Sequence, residues 1–279
     1  MSNSNASTAS VAGHYDQLDR FYRQLWGEHV HHGLWTRPSM TPEEAVRHLV
    51  HRVARDAELG RESRVCDVGC GYGAPARLWA RAYGAKVTGF TVSKAQKAYA
   101  DRQSTDGPPP TYRRQDFLEE KGPDEHFDAV VAIESLTHIR DPARVLRKAT
   151  RILVPGGRLV ACVWMRASDA SPWARRHLLG PIVEEGRLAG LPTATDLHRW
   201  TTAAGLRARR LDDRTSQVRR TWTVVIARFV RALFTDSTVL KTLLDASASE
   251  RVFARTLLRI WLAQHLGALR YGWLVAEKA

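Results

Sequence analysis

A run of glycines preceded by one acidic residue is the segment of this sequence best suited to binding a ligand through its backbone. The run reads Val65-Cys-Asp-Val-Gly-Cys-Gly-Tyr-Gly73, with Asp67 two residues before Gly69. Because glycine has no side chain, the backbone of such a turn can approach a ligand closely, and the N–H groups of a following helix attract an anionic group. As a dinucleotide fingerprint the run departs from the pattern at Ala74, and the acid before the first glycine favours a different cofactor.

Two titratable residues, Glu134 and His138, follow an apolar stretch at 127–133. If this stretch is a strand, both residues lie at the carboxyl edge, where open α/β sheets bind ligands. A neutral histidine there can take a proton from a hydroxyl, phenol or ammonium group, because its reference pKa of about 6.5 suits neutral pH. We predict that His138 is the catalytic base, and a structural or surface histidine is the alternative.

Three histidines, at positions 29, 31 and 32, stand between Trp26 and Trp35. Their spacing matches no zinc pattern, and no cysteine or carboxylate cluster accompanies them. We therefore expect no metal, and the flanking tryptophans favour an aromatic lining for a substrate site. Helix packing is the alternative for Trp26 and for Tyr15.

Strands that alternate with helices must position these groups. Strands are predicted at 64–68, 86–92, 112–117, 127–133, 158–164, 208–218 and 271–276, and helices at 42–58, 74–83, 93–103, 141–153 and 195–204. Strand, helix and strand in succession form a parallel sheet. The fold class is therefore α/β, with a doubly wound, mostly parallel, Rossmann-like sheet.

The chain is expected to form a single domain of 279 residues with four parts. Residues 1–13 are predicted to be a disordered tail, 14–60 a helical cap, 61–164 the cofactor-binding core and 165–279 the acceptor region with the last strands. Within the last part, residues 219–266 form a helical, arginine-rich segment that we call the C-terminal insert. Its length favours a lid, an amphipathic face for a membrane surface, or packing against the sheet.

The composition fits a folded globular protein, with 44% hydrophobic and 25% charged residues, and excludes collagen-like and wholly disordered classes. The net charge of +13 comes mostly from scattered arginines without a block of like charges, so nucleic acid is not the expected partner. Three cysteines are too few for a disulfide framework, and no signal peptide or transmembrane stretch is present. A cytoplasmic location is therefore expected.

Several motifs together resemble the class I S-adenosylmethionine-dependent methyltransferases. Asp67-x-Gly-x-Gly71 resembles their first motif, Asp116-Phe117 the pair at the adenine, and Leu153-Val-Pro-Gly-Gly157 the turn before strand five. The segments at 26–33 and 87–93, with Glu134-Ser-x-x-His138, are similar to the tocopherol methyltransferase subgroup, whose relatives methylate small molecules. The resemblance implies S-adenosylmethionine as cofactor and a small, largely apolar acceptor.

The same resemblance assigns residues to the two ligands. The predicted cofactor-binding residues are Asp67, Gly69, Cys70, Gly71, Thr91, Gln96, Asp116, Phe117 and Ile133. The predicted acceptor contacts are Tyr15, Trp26, His31, His32, Glu134, Trp164 and Trp222.

Two positions depart from the family pattern. Thr91 stands where an acid commonly binds the ribose, and Thr137 replaces the acid that the plant subgroup carries beside His138. The second change favours a hydroxyl or phenol acceptor. The alternatives are C- or N-methylation of a prenylated or alkaloid-like acceptor, and a non-catalytic nucleotide-binding protein.

Overall fold

A seven-stranded sheet is the centre of the computed structural model, which describes residues 8–17, 19, 23, 26–235 and 248–279. The strands are β1 (Arg64–Val68), β2 (Lys86–Thr91), β3 (Thr111–Arg114), β4 (Phe127–Ile133), β5 (Leu153–Arg166), β6 (Leu206–Asp213) and β7 (Leu269–Lys278). Their order is β3-β2-β1-β4-β5-β7-β6, and only β7 runs antiparallel to its neighbours. The predicted doubly wound α/β fold is confirmed, and its strand order reverses between β1 and β4.

Helices cover both faces of the sheet. They are α1 (Thr8–Gln17), α2 (Pro42–Asp56), α3 (Ala74–Tyr83), α4 (Lys94–Ala100), α5 (Pro142–Ile152), α6 (Gly180–Glu185), α7 (Ala194–Ala203), α8 (Thr215–Val218), α9 (Arg220–Thr235) and α10 (Ala248–His265). The side chains of Thr41 and Glu44 form a capping box that starts α2. Gly84, at a φ of 67°, ends α3 in the left-handed conformation that favours glycine.

Local sequence signals located most of these elements correctly, with three differences. Strand β3 is shorter than predicted because Asp116 caps a 3₁₀ turn, Phe117–Glu119. The strand predicted at 208–218 starts earlier, ends at Asp213 and gives way to α8. The turn expected at 155–157 is an irregularity inside β5, where the register against β4 shifts.

The prediction of a disordered tail over residues 1–13 is wrong from Thr8 onward. Thr8–Gln17 is a helix, and contacts distant in sequence hold it against the sheet. Its polar, alanine- and serine-rich composition gave no periodic signal for such packing. Residues 1–7 lie outside the described part of the chain.

The C-terminal insert adds a third apolar cluster beside the two clusters that cover the faces of the sheet. Trp222 and Val225 of α9 pack there with Leu257 and Ile260 of α10 and Ile182 of α6. Residues 236–247 of the insert lie outside the described residues. No helix within the described ranges has the length and apolar character to span a membrane.

Candidate active site

A cavity of about 1480 Å³ opens at the carboxyl ends of β1, β2 and β4, where the strand order reverses. Helix α1 lines one side of it, and the C-terminal insert with α6 lines another. Seven of the predicted cofactor residues line it: Gly69, Gly71, Thr91, Gln96, Asp116, Phe117 and Ile133. His138 and all seven predicted acceptor residues also line it: Tyr15, Trp26, His31, His32, Glu134, Trp164 and Trp222. The sheet therefore brings both predicted sets to one site.

The glycine turn is shaped by close backbone packing. Gly69, at a φ of 78°, leaves no room for a side chain, because a Cβ there would lie 2.4 Å from the Cβ of Ser135. Gly71, at a φ of 54°, faces open space, with no described atom within 4 Å of a Cβ position. A ligand can therefore lie directly against the backbone at Gly71.

Asp67 and Cys70 do not belong to the cavity lining, since both are buried behind the glycine turn. The Oδ2 atom of Asp67 has no hydrogen-bond partner among the described residues. Burial raises the pKa of this carboxyl to about 7. A buried carboxylate without a partner is costly, so a cationic group of a ligand would complete this site.

A hydroxyl and an amide meet at the end of β2. The Thr91 hydroxyl donates to Oε1 of Gln96 at 2.7 Å and accepts from the Ser93 backbone N–H at 3.2 Å. Thr91 and Gln96 are both buried, so their remaining polar atoms face the cavity side rather than bulk solvent. Such a pair suits the hydroxyl groups of a sugar.

A carboxylate and a ring lie together after β3. Asp116 accepts from the backbone N–H of Leu118 through Oδ1 and from the Thr8 hydroxyl through Oδ2, both at 2.9 Å. The buried Phe117 ring packs edge-on against Phe90, with ring centres 5.6 Å apart. A flat heterocycle with an amino group fits between an acceptor oxygen and an aromatic surface.

Helix α1 closes over the cavity through Asp16, a residue that sequence reasoning missed. Its Oδ1 accepts from the Ser93 hydroxyl at 2.5 Å and from the Ala95 N–H at 3.0 Å, at the first turn of α4. Hydrogen bonds from Ser93 and Ala95 outweigh the effect of burial and lower the pKa of Asp16. A cap made by a residue nearly eighty positions away leaves no local sequence signal.

His138 ends a 3₁₀ turn after β4 and meets Tyr15 of α1. The Tyr15 oxygen lies 3.1 Å from Nε2 of His138. Burial lowers the pKa of His138 to about 4, although the Arg187 backbone and the charge of Glu134 act in the opposite direction. The ring is therefore neutral at pH 7 and can accept a proton. Burial and the charge of Glu134 raise the pKa of Tyr15, so its hydroxyl stays protonated.

Glu134 occupies the left-handed region, at a φ of 57°, directly after β4. Its carboxylate accepts hydrogen bonds from His32 of the N-terminal segment, Trp164 of β5 and Tyr271 of β7. Burial alone would raise the pKa of Glu134, but the neighbouring His32 and its hydrogen bonds lower it well below its ordinary value. The Glu134 carboxylate is therefore buried and held in place by hydrogen bonds from other segments of the chain.

Three tryptophans form the wall beside Glu134. Trp222 packs edge-on against Trp26 and Trp164, with ring centres 5.8 and 5.7 Å apart. Trp222 is itself buried, although it belongs to the C-terminal insert. The three rings give the cavity an aromatic wall, which suits an apolar molecule.

The histidine cluster is part of the same wall. His31 lines the cavity, with Nδ1 2.7 Å from the His32 carbonyl oxygen and Nε2 3.0 Å from Nδ1 of His29. Burial lowers the pKa of His31. Over the described residues, no three His, Cys, Asp or Glu side chains are grouped so that they could hold a metal ion.

Comparison with known proteins agrees with this geometry. The family model for a methyltransferase domain matches residues 40–211. The chain is 33% identical over 219 residues to 27-O-demethylrifamycin SV methyltransferase of Amycolatopsis mediterranei, covering 77% of this chain and 80% of that protein. It is 32% identical over 170 residues to 2-methyl-6-phytyl-1,4-hydroquinone methyltransferase of Synechocystis, covering 58% of this chain and about half (54%) of that protein.

A solved structure shares the fold over almost the whole chain. Mycolic acid cyclopropane synthase CmaA1, complexed with S-adenosylhomocysteine, superposes with a TM-score of 0.86 at 19% identity, covering 97% of this chain and 98% of that one. The unpaired Asp67 oxygen, the open space at Gly71 and the Asp116–Phe117 pair in the cavity lining are compatible with a ligand that carries a cationic group and an aromatic heterocycle. From the family match and this fit, the chain belongs to the class I S-adenosylmethionine-dependent methyltransferases, and S-adenosylmethionine is its cofactor.

Proposed function

We propose that this enzyme methylates a hydroxyl group, above all a phenol, on a small and largely apolar acceptor, with His138 as the base. The observation that carries the proposal is the Tyr15–His138 pair at 3.1 Å in the cavity wall. Burial keeps the His138 ring neutral at pH 7, so Nε2 has a lone pair for a proton, and the charge of Glu134 acts to make the ring more basic. The relatives include O-, N- and C-methyltransferases by name, so the acceptor atom is assigned from this pair.

The cofactor brings an activated methyl group on a sulfonium, and the residues of the chain align it. In this proposal the unpaired carboxylate of Asp67, behind the glycine turn, attracts the amino group of the cofactor through its charge, and the backbone at Gly69 and Gly71 borders the methionine part. Thr91 and Gln96 bind the ribose. Alignment of this kind lowers the barrier because two reactants are held in one orientation.

The cofactor site continues beyond the ribose. Asp116 accepts from the adenine amino group, and Phe117 packs on the ring. Ile133, at the end of β4, packs on the cofactor where β1 and β4 separate. Cys70 supports the turn from behind, because its thiol is buried and not part of the lining.

Proton removal runs through the Tyr15–His138 pair. As the acceptor oxygen gains the methyl group, its proton passes to the Tyr15 oxygen while Tyr15 gives its own proton to Nε2 of His138. The charge of Glu134 stabilises the imidazolium that forms, since it raises the pKa of His138.

The pH dependence of turnover tests the base directly. We expect kcat for a phenol acceptor to stay level from pH 7 to about pH 5 and to fall with a midpoint near pH 4, because His138 protonates only there. The measurement is kcat against pH, with circular dichroism to confirm folding at each point. His138→Gln should lose this acid limb, while the exposed control His198→Gln on α7 should keep it. A midpoint near the ordinary value of 6.5 would contradict the buried-base assignment.

The insert is proposed to be the lid over the acceptor, and Trp222 tests this. Trp222→Ala should raise the acceptor KM by about tenfold or more, since loss of roughly 1.5 kcal/mol of apolar contact corresponds to that factor. S-adenosylhomocysteine affinity should remain unchanged. The matched control is Trp173→Ala, because Trp173 is 54% exposed and does not line the cavity. Equal KM values for the two variants would remove Trp222 from the acceptor site.

A further inference from the structure

We propose that Glu134 is a positioning residue that selects the acceptor. Its buried carboxylate holds the polar edges of the acceptor wall away from the cavity, so that the wall receives a polycyclic apolar body and rejects one with polar ring atoms. The inference rests on the proposed function in one respect, that the tryptophan wall faces the acceptor. It gives a specific role to Glu134, which the sequence predicts only as an acceptor contact.

The hydrogen bonds of Glu134 hold its carboxylate against three separate segments of the chain. Oε1 accepts from the His32 backbone N–H at 2.8 Å, from His32 Nδ1 at 2.9 Å and from the Tyr271 hydroxyl at 2.8 Å. Oε2 accepts from Nε1 of Trp164 at 3.1 Å. Three donors crowd Oε1, whereas Oε2 keeps one of its two acceptor positions. An ionised carboxylate only accepts, so it offers no hydrogen bond to an acceptor-type ring nitrogen.

A further hydrogen bond links Trp222 to Glu134 through His32. Nε1 of Trp222 lies 2.6 Å from Nε2 of His32, and an indole N–H can only donate. Nε2 of His32 therefore accepts this hydrogen bond through its lone pair, and the ring proton is on Nδ1, where it points at Glu134. The indole N–H groups of Trp164 and Trp222 are thus both committed to the Glu134–His32 network. The cavity meets their ring faces and C–H edges.

The backbone of Glu134 points to the same role. Its φ of 57° is uncommon for a residue with a side chain and marks strain that surrounding contacts must hold in place. Four hydrogen bonds from three separate segments provide that restraint. The strained turn also places Ser135 and the 3₁₀ turn of His138 directly after β4. The tryptophan wall and His138 are therefore both positioned by Glu134.

The size of the cavity indicates which acceptors it takes. A pocket for one drug-sized ligand has roughly 300–1,000 Å³. At about 1480 Å³, this cavity has room for the cofactor and a second ligand with several rings. The substrate class that follows is a hydroxylated polycyclic compound whose body lacks polar ring atoms.

Two ligands of equal shape test the selection. 9-Phenanthrol has three carbocyclic rings, and 5-hydroxy-1,10-phenanthroline has two ring nitrogens that need donors. Calorimetric titration of the enzyme saturated with S-adenosylhomocysteine should show about tenfold or greater preference for 9-phenanthrol, because the indole N–H groups of Trp164 and Trp222 already donate to Glu134 and His32. In Glu134→Gln, whose amide faces N–H and O–H donors, 9-phenanthrol should bind about tenfold more weakly and the preference should fall below about threefold.

The matched control is Asp56→Asn, which disturbs another carboxylate–indole bond, from Trp273 Nε1 to Asp56 Oδ2 at 2.8 Å, outside the cavity lining. It should keep the full preference. Should Glu134→Gln fail to fold, Glu134→Asp carries the test, since the shorter side chain cannot reach all four donors. Absence of 9-phenanthrol binding, no preference in the wild type, or an intact preference in the Glu134 variants would each overturn the proposal. The assay involves no methyl transfer, so an error about His138 as base does not affect its outcome.

Discussion

His138→Ala is expected to lower kcat by about 10²–10⁴-fold while changing the affinity for S-adenosylhomocysteine by less than about twofold. The reason is that alanine leaves no group at the position of Nε2, which lies 3.1 Å from the Tyr15 oxygen. The adenine, ribose and amino contacts of the cofactor do not involve this ring. Steady-state kinetics with a phenol acceptor and calorimetry with S-adenosylhomocysteine measure the two quantities on one preparation.

Two further variants show whether the loss of kcat in His138→Ala comes from removal of the base. Tyr15→Phe removes the hydroxyl between acceptor and base and should reduce kcat to a smaller extent, because His138 can still accept the proton through a water molecule. His198→Ala, at an exposed position of α7, should have no effect. A loss below about threefold in His138→Ala would mean that alignment alone carries the reaction.

Asp67→Asn is expected to weaken S-adenosylhomocysteine binding by about tenfold, since the buried charge of Asp67 acts on the amino group of the cofactor across the protein interior, where electrostatic attraction is stronger than in water. Asparagine keeps the shape of the side chain and removes the charge that attracts the amino group of the cofactor. The fold should persist, because Oδ2 of Asp67 has no partner among the described residues. Calorimetry gives the affinity, and thermal unfolding gives the stability.

The raised pKa of Asp67 also predicts how the affinity for S-adenosylhomocysteine changes with pH. Burial holds this pKa near 7, so the carboxyl of the free enzyme is partly protonated at neutral pH. A bound ammonium group favours the carboxylate, so affinity should increase as pH rises through 7, and Asp67→Asn should lack that increase. The same shift should lower the stability of the free wild type relative to this variant as pH rises from about 4 to 7, because the unfolded chain releases this proton before the folded chain does.

The control for this site is Asp128→Asn, which breaks an ion pair with Arg64 at the amino end of β1 and β4, away from the cavity lining. It should leave S-adenosylhomocysteine affinity unchanged. Unaltered affinity in Asp67→Asn would place the amino group of the cofactor elsewhere.

Features with a local signature were predictable from sequence. The glycines at 69–73 and Gly84 delimit β1 and α3, and apolar residues at 127–133 give the bounds of β4. These signals also led to the residues that line the cavity, because carboxyl ends of parallel strands meet at one edge.

Features that depend on contacts distant in sequence were not predictable. Helix α1 is polar, and its position follows from Thr8 with Asp116 and Asp16 with Ser93. Tyr271 was assigned only to the last strand, yet its hydroxyl meets Glu134 across 137 positions. Sequence reasoning placed Glu134 near the acceptor but could not show that its oxygens accept hydrogen bonds from protein donors.

The identity of the methylated atom distinguishes O-methylation with His138 as base from methylation at nitrogen or carbon. The wild-type enzyme is incubated with labelled S-adenosylmethionine and, separately, 9-phenanthrol, 9-aminophenanthrene or phenanthrene, and the products are identified by mass spectrometry and NMR. We expect a methyl ether of 9-phenanthrol, little product from the other two compounds, and loss of the ether in His138→Ala. Faster methylation of the amine or of a ring carbon, with His138→Ala as active as the wild type, would contradict the assignment of His138 as the base for a hydroxyl acceptor.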